Sequence, residues 1–275
     1  MEAEDAARLA GLVKYGEIKE EIMRITFIGV SSCIPDKGMD TACFVINGKH
    51  LVDTGWSAVL KMREYGIDPL DIRSVILTHL HQDHYIGLPQ LLFYRALRGR
   101  KRTDLAPLRI IGPQGHLARV LRAALDFLQI SRFPELKEEY TLMPLSPGED
   151  FELDGLHFET CAARHVSGEG VPEEALAYKV VERATNSGFA FTGDTSFHPP
   201  IAEFAGGTRL LIHDAAHTSA RDAATIAKMA GVERLFLIHY SQERADRLLA
   251  EAREVFPDTF LAREGETLTL AGERG

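Results

Sequence analysis

A histidine-rich motif directly follows a short apolar run, residues 75–77, in the first third of the chain. The motif is Thr78-His79-Leu80-His81-Gln82-Asp83-His84. On a strand, His79 and His81 would point to the same side and hold one ion together. If the chain then turns, Asp83 and His84 face a second point nearby. Imidazole and carboxylate are ligands for zinc, and also for manganese or iron. The motif therefore predicts a two-metal site, the alternative being a strand end with solvated histidines.

Composition indicates a globular protein with a large core. The 275 residues are 45% hydrophobic, enough for one domain or at most two. No apolar run approaches the roughly 18 residues of a membrane span, and the acidic start 1–5 lacks an apolar signal region. Three cysteines without paired spacing favour reduced thiols and a cytoplasmic location. We expect a helical extension over residues 1–22 and one domain over residues 23–275.

Net charge argues against an extended nucleic-acid interface. The formal charge is −9, whereas phosphate backbones are bound by concentrated positive charge. The exception is a basic cluster after the motif, at Arg95, Arg98, Arg100, Lys101 and Arg102. This cluster is either a solvated helix end or an anion contact near the mouth of the site.

The order of predicted elements indicates layered sheets covered by helices. Asn47-Gly48 between two apolar runs is a strong hairpin signal. Early strands are followed by alternating strands and helices after about residue 205. The segment 131–150 is rich in proline, glutamate and serine, and we expect it to cross between two halves of the fold.

Three later residues are candidates for the remaining metal ligands. His165, Asp194 and His239 each stand where an apolar strand-like segment ends. The ends of strands are where α/β enzymes gather their chemistry. Each residue alone is equally well explained as a capped or solvated strand end, but together with the motif they complete the ligand set of a binuclear site.

This set of residues resembles the metallo-β-lactamase fold superfamily over about residues 23–270. The matching segments are Leu51-Val52-Asp53-Thr54-Gly55, His79 to His84, His165, Gly193-Asp194-Thr195 and His239. The resemblance implies an α/β fold, a four-layer αββα sandwich. It also implies that His79, His81 and His165 hold one divalent ion and that Asp83, His84 and His239 hold the other. Asp194 would bridge two ions, zinc or else manganese or iron, and Asp53 would orient the motif as a hydrogen-bond acceptor.

Within the superfamily, the chain is most similar to ribonuclease Z and its phosphodiesterase relatives. The segments that carry this likeness are Gly87 to Leu92, Ile110 to Gly115, Leu211 to Ala216, His217 to Ala220, and His239 to Gln242. The resemblance implies that His217 is a catalytic histidine facing the scissile phosphate and that Asp214 holds it. The alternative for His217 is a residue at the start of a helix capped by Thr218 or Ser219.

One difference from the ribonuclease Z branch limits the expected size of the substrate. Ribonuclease Z enzymes that process transfer RNA carry a long arm, usually between the counterparts of His165 and Asp194, where this chain has only 28 residues. We therefore expect a phosphodiesterase acting on a small or short phosphodiester. A hydroxide bridging the metals would attack phosphorus, and Asp83 and Asp194 would hold that hydroxide in place. His217 would act on the leaving oxygen.

Three other functions remain open from the sequence. They are a ribonuclease Z-like endonuclease that processes tRNA 3′ ends, a lactone or thioester hydrolase using the same metals, and a non-catalytic accessory protein stabilised by metal. A homodimer is a further state that the sequence allows. No membrane partner is expected.

Overall fold

Two seven-stranded sheets form the centre of the molecule. The computed structural model describes residues 22–133, 139–166 and 170–271. Sheet one contains β1 (Met23–Gly29), β2 (Cys43–Ile46), β3 (His50–Val52), β4 (Ser74–Ile76), β5 (Leu108–Pro113), β6 (Tyr140–Leu145) and β14 (Thr267–Leu270), in the order β14-β1-β2-β3-β4-β5-β6. Sheet two contains β7 (Asp150–Leu153), β8 (Leu156–Ala162), β9 (Leu176–Glu182), β10 (Gly188–Phe191), β11 (Leu210–Asp214), β12 (Arg234–Ile238) and β13 (Thr259–Leu261), in the order β13-β12-β11-β10-β9-β8-β7.

Aromatic side chains from both sheets meet in the central core. Phe44 of sheet one packs edge-to-face on Phe189 and Phe191 of sheet two, with ring centroids 6.1 and 5.0 Å apart. Phe27 stacks on Phe236 in the same layer. Burying these rings between the sheets supplies much of the favourable free energy of folding, because apolar area removed from water contributes about 25 cal/mol per Å².

Helices cover the outer face of each sheet. The helices are α1 (Ala58–Glu64), α2 (Gln82–Tyr85), α3 (Leu88–Arg98), α4 (Leu117–Phe127), α5 (Pro200–Ala205), α6 (Ala220–Ala230) and α7 (Ala245–Arg253). Apolar residues of α1, α3 and α4 pack with the outer side of sheet one, and those of α5, α6 and α7 pack with sheet two. This is the four-layer αββα sandwich, so the predicted fold class is confirmed. Among the described residues, no helix combines the length and apolar character needed to cross a membrane.

Parallel strands place loops from both sheets at one edge. β3, β4 and β5 run parallel in sheet one, and β10, β11 and β12 run parallel in sheet two. Segments that follow parallel strands leave at the same edge of the sheet. We call this edge the C-terminal edge. The motif follows β4, and Asp194 and His239 follow β10 and β12, so all of them lie at it.

The predicted hairpin is confirmed, and two other expectations change. Asn47 and Gly48 have positive φ angles of 52° and 69°, as a tight turn between β2 and β3 requires. The segment 131–150 is not simply a crossing, because β6 lies within it and pairs in parallel with β5. The crossing to sheet two is confined to residues 146–149. Most of the proposed extension lies outside the described residues, so the division at residues 22 and 23 stays a prediction.

Candidate metal centre

The motif occupies a loop and a short helix rather than a strand. β4 ends at Ile76, and α2 begins at Gln82. The expectation that His79 and His81 share one side of a strand is therefore wrong. Their convergence comes instead from Asp53, whose carboxylate accepts hydrogen bonds from the backbone N–H and the hydroxyl of Thr78, each at 2.9 Å. This anchor fixes where the chain leaves the strand.

Three imidazoles form one group, which we call the first triad. It consists of His79, His81 and His165, whose candidate ligand nitrogens all lie within 4.8 Å of one another. His165 Nε2 is 3.0 Å from His81 Nδ1. His79 is fully buried, whereas the His81 side chain is 30% exposed. The first triad therefore opens toward solvent on the side of His81.

A carboxylate and two imidazoles form the second triad. It consists of Asp83, His84 and His239, and its ligand atoms again lie within 4.8 Å of one another. The Oδ2 atom of Asp83 is 3.2 Å from His84 Nε2 and 3.4 Å from His239 Nε2. All three residues are buried.

Asp194 lies between the two triads. Its Oδ2 atom is 3.8 Å from His79 Nε2 of the first triad and 3.4 Å from His84 Nε2 of the second. Gly193 brings it there with a φ of 56°, and a Cβ at that glycine would stand 2.9 Å from the Cβ of Thr78. Only a glycine lets the two loops pass so closely. The carboxylate is thus in position to bridge two ions.

Two further carboxylates hold the imidazoles of the second triad from behind. Asp53 Oδ2 lies 2.8 Å from His84 Nδ1, and Asp214 Oδ1 lies 3.0 Å from His239 Nδ1. Such contacts fix the ring orientation and leave Nε2 for a metal. The sequence assigned Asp214 only to His217, but the structure shows that it also supports His239.

Backbone contacts that sequence reasoning missed also fix the second triad. The Thr41 hydroxyl donates to the carbonyl of Asp83 at 3.0 Å, and Thr54 N donates to the carbonyl of His84 at 2.8 Å. Buried Asp40 accepts hydrogen bonds from the backbone of Thr41 and from the loop at residues 56–57. The Asp-Thr pairs at 40–41 and 53–54 were the available signal, although Asp-Thr dipeptides are too common to be specific.

The buried polar atoms of the site fit divalent cations. His79 Nε2 and His84 Nε2 have no hydrogen-bond partner among the described residues, although both are inaccessible to solvent. Buried polar atoms without partners are rare in folded proteins. The donors around them are imidazole nitrogens and carboxylate oxygens, which suit zinc, manganese or iron. Cations at the two triads would give both atoms a partner.

The triads differ in electrostatics. Burial lowers the pKa of His79, and it lowers that of His165 to about 4, so these two imidazoles of the first triad are neutral at pH 7. Burial would also lower the pKa of His239, but the carboxylates of Asp194 and Asp214 raise it to about 10. The Asp194 and Asp53 carboxylates likewise overcome burial and raise the pKa of His84. Without metal, the second triad therefore carries protons.

His217 lies beside both triads. Its ring centroid is 4.8 Å from that of His165 and 5.5 Å from that of His239. Its Nδ1 atom is 3.4 Å from both Asp194 Oδ2 and Asp214 Oδ2, and its side chain is 40% exposed. The structure also bears out the helix-start position, because Ser219, two residues after His217, caps α6; the catalytic role of His217 stays a prediction.

The basic cluster lies away from this centre. Arg95 is 1% exposed, and its guanidinium donates to the carbonyls of Ile72 at 2.6 Å and Ala106 at 2.9 Å. Those carbonyls precede β4 and β5, at the edge opposite the motif. Neither interpretation of the cluster, a solvated helix end or an anion contact at the site mouth, holds for Arg95, whose hydrogen bonds link two loops at the far edge.

The fold and the paired triads define a metallo-β-lactamase fold protein, and comparisons agree. Residues 23–256 match the family model described as Anti-Pycsar protein Apyc1, and the chain belongs to that family. It is 28% identical over 309 residues to ribonuclease Z of Methanothermobacter thermautotrophicus, covering 90% of this chain and 97% of that protein. The predicted likeness to the ribonuclease Z branch is confirmed.

Solved structures show the same fold. The metallo-β-lactamase fold protein YhfI from Bacillus subtilis superimposes with a TM-score of 0.75 at 21% identity, covering 90% of this chain and 100% of that one. The short form of human tRNase Z gives a TM-score of 0.70 at 21% identity, covering 89% and 98%. Both solved structures therefore share the fold of this chain over most of its length.

Proposed function

We propose that the protein is a binuclear metal-dependent phosphodiesterase that acts on a small or short phosphodiester. The observation that carries the proposal is His217, an exposed imidazole next to both triads and held by Asp214. Lactone and thioester hydrolysis need only the metals and a water. A phosphodiester, in contrast, has a poor leaving oxygen that benefits from a positioned acid.

The proposed ligands are the residues of the two triads, with Asp194 shared between them. Two divalent cations held there would supply an activated water and neutralise charge on the phosphate. Asp53 and Asp214 orient the imidazoles of the second triad, and Asp83 and Asp194 add the negative charge that divalent ions require. These roles follow from the contacts of the chain's own side chains.

His217 is the proposed general acid. The hydrogen bond to Asp214 raises the pKa of His217 above its ordinary value, despite the opposing effect of burial. The imidazole therefore holds its proton more firmly near neutral pH. Because Nδ1 faces Asp194 and Asp214, Nε2 is the nitrogen available to a substrate. A proton on Nε2 can pass to the leaving oxygen as the phosphorus–oxygen bond breaks.

Substrate size is inferred from what surrounds the first triad. The 28 residues between His165 and Asp194 contain β9 and β10, which are central strands of sheet two. The alignment to the archaeal ribonuclease Z spans more positions than this whole chain has residues, so that relative carries residues that this chain lacks. At the mouth, Glu173 Oε1 lies 3.8 Å from His81 Nε2. An acidic group there repels a long polyanion.

Processing of precursor tRNA is the second candidate, because relatives are named ribonuclease Z and tRNase Z. The two candidates predict different substrate preferences. The discriminating experiment measures kcat/KM for a chromogenic phosphodiester, a cyclic mononucleotide, a precursor tRNA, a lactone and a thioester, with bound metal quantified. An Asp83→Ala variant controls for contaminating activity.

We expect turnover of at least one small phosphodiester and much weaker processing of precursor tRNA at physiological salt. Asp83→Ala should abolish that turnover. Preferred cleavage of precursor tRNA would instead support the second candidate. Turnover only of lactones or thioesters would contradict both.

A further inference from the structure

A second cleft lies at the edge opposite the metal centre. It has a volume of about 680 Å³ and lies among the starts of the parallel strands β3, β4 and β5. Six basic side chains line it, Arg24, Lys49, Arg73, Arg95, Arg102 and Arg109, together with four aspartates, Asp68, Asp71, Asp104 and Asp154. We call it the basic cleft. Its volume is within the range of about 300–1,000 Å³ that small-molecule sites occupy.

Two of these cations directly precede neighbouring strands, Lys49 before β3 and Arg73 before β4, and a third, Arg109, is the second residue of β5. Arg73 N donates to the carbonyl of Lys49 at 2.7 Å, and Arg109 N donates to the carbonyl of Arg73 at 3.0 Å. Adjacent strands are about 4.8 Å apart, so Lys49 and Arg73 are neighbours, and Arg109, which pairs in register with Ser74, lies one residue further along its strand. Like charges on neighbouring strands destabilise a sheet. A compensating negative charge is therefore expected.

The aspartates of the cleft compensate only some of the cations. Asp154 pairs with Arg73 at 2.9 Å, and Arg102 pairs with Asp104 at 2.8 Å and lies 3.8 Å from Asp71. The fourth carboxylate, Asp68, accepts a hydrogen bond from the backbone N–H of Leu70. Within the described part of the chain, Arg24, Lys49 and Arg109 take part in no ion pair.

The pKa of the buried residue His50 is affected by three of the cations that line the cleft. His50 is 1% exposed, its Nδ1 lies 2.9 Å from the hydroxyl of Ser74, and its Nε2 has no hydrogen-bond partner among the described residues. Burial is the main cause that lowers the pKa of His50 to about 4; Asp154 opposes it, and the positive charges of Lys49, Arg73 and Arg109 add to it. Lys49, Arg73 and Arg109 are thus close enough to His50 for their charges to affect it.

We propose that the basic cleft binds a small phosphorylated ligand through Arg24, Lys49 and Arg109. An arginine guanidinium presents paired N–H donors that match two phosphate oxygens, and a lysine adds a point charge. A positive cleft in a chain of net charge −9 is a local attraction for anions that the rest of the surface does not share. The site is separate from the metal centre, because the two lie at opposite ends of the same parallel strands.

The test is a binding titration of the metal-loaded protein. Isothermal titration calorimetry with inorganic phosphate, and separately with adenosine monophosphate, counts the binding events. The double variant Lys49→Gln/Arg109→Gln removes two cleft charges. The double variant Arg119→Gln/Arg122→Gln removes the same charge from the exposed face of α4 and is the matched control.

We expect one binding event that the cleft variant weakens by about 10- to 100-fold, the effect of losing charged hydrogen bonds, and that the control retains. Turnover of a small phosphodiester should stay within about twofold in the cleft variant, because these residues are not at the metal centre. Adenosine monophosphate binding at least about tenfold more tightly than phosphate, a gap of roughly 1.4 kcal/mol, would identify a nucleotide as the ligand. Equal affinities would identify the free anion.

Two results would overturn the proposal. The first is a wild-type protein that binds neither probe outside the metal centre, seen as identical titrations of wild type and cleft variant. The second is equal weakening in the cleft variant and the α4 control, which would mean a general charge effect. Increasing salt provides a second measurement that needs no variant: affinity at the cleft should fall as ionic strength rises.

Discussion

The two triads of the metal centre face each other but are supported differently. The first triad consists of three imidazoles, one of them 30% exposed, and no carboxylate lies within hydrogen-bond distance behind them among the described residues. In the second triad, Asp53 and Asp214 contact the rings of His84 and His239 at 2.8 and 3.0 Å. The same fold thus places a group of imidazoles that opens to solvent beside a buried group that two further carboxylates support.

The two triads also differ in how the charge of their carboxylates is balanced. Carboxylates in a low-dielectric interior need positive charge close by. Protonated His84 and His239 supply it, because their pKa values are raised. Divalent ions would then replace protons at the second triad, whereas at the first triad His79 and His165 are already neutral.

The largest expected effect comes from His217, which lies beside both triads without belonging to either. His217→Ala should keep both metals and lose about 10²- to 10⁴-fold in kcat, the usual range for a positioned acid. The loss should be smaller for a p-nitrophenyl leaving group, which departs without a proton. The measurement is kcat on good and poor leaving groups with metal content checked. Wild-type rates on both would remove His217 from the mechanism.

The next prediction is that the metal affinities of the two triads depend differently on pH. A ligand imidazole must lose its proton before it binds metal. Because the pKa of His239 is raised to about 10 and that of His84 is also raised, affinity at the second triad should rise by at least about tenfold per pH unit between pH 7 and 9. At the first triad, where the pKa of His165 is lowered to about 4, affinity should be flat over that range. Competition with a chelator at several pH values measures both, and parallel slopes would refute the contrast.

The raised pKa values of the second triad also predict how the stability of the metal-free protein changes with pH. A pKa raised in the folded state stabilises the metal-free protein below the ordinary pKa of histidine, near 6.5. That contribution is lost as the pH rises toward 10. Metal-free protein should therefore unfold more easily at pH 9 than at pH 7, while metal-loaded protein should change less.

A smaller loss of metal affinity or activity is expected when Asp53, which contacts His84 of the second triad, is replaced. Asp53→Ala removes the acceptor of His84 Nδ1 and of Thr78, and should lower metal affinity or activity by about 10- to 100-fold. Asp53→Asn, which keeps the shape, should lose less. The loss should fall on the second ion, which metal titration of the variant resolves. Unchanged metal content and turnover would show that Asp53 only shapes the turn after β3.

Much of this site could be predicted because its signals are local. The motif lies within seven consecutive positions, and Asp194 and His239 each follow an apolar strand, so spacing and periodicity were sufficient to select them. The hairpin at Asn47-Gly48 was equally clear. The paired sheets followed from the family likeness rather than from any one pattern.

What sequence reasoning missed depends on contacts between distant segments. The motif was expected on a strand because Val75 to Leu77 continue into it, but the anchor that turns Thr78 aside comes from Asp53, 25 residues earlier. Strand β14 pairs with β1 from the other end of the chain, and its alternating Thr-Leu pattern spans only four residues. Buried Arg95 looked solvated, because nothing local indicates the carbonyls that surround it.

The most direct test of the account is anomalous diffraction from crystals grown with zinc. The account predicts two peaks about 3.5–4 Å apart, one contacted by His79, His81 and His165 and the other by Asp83, His84 and His239, with Asp194 touching both. A single peak, or a structure in which His165 or His239 points away from the ions, would contradict the binuclear centre.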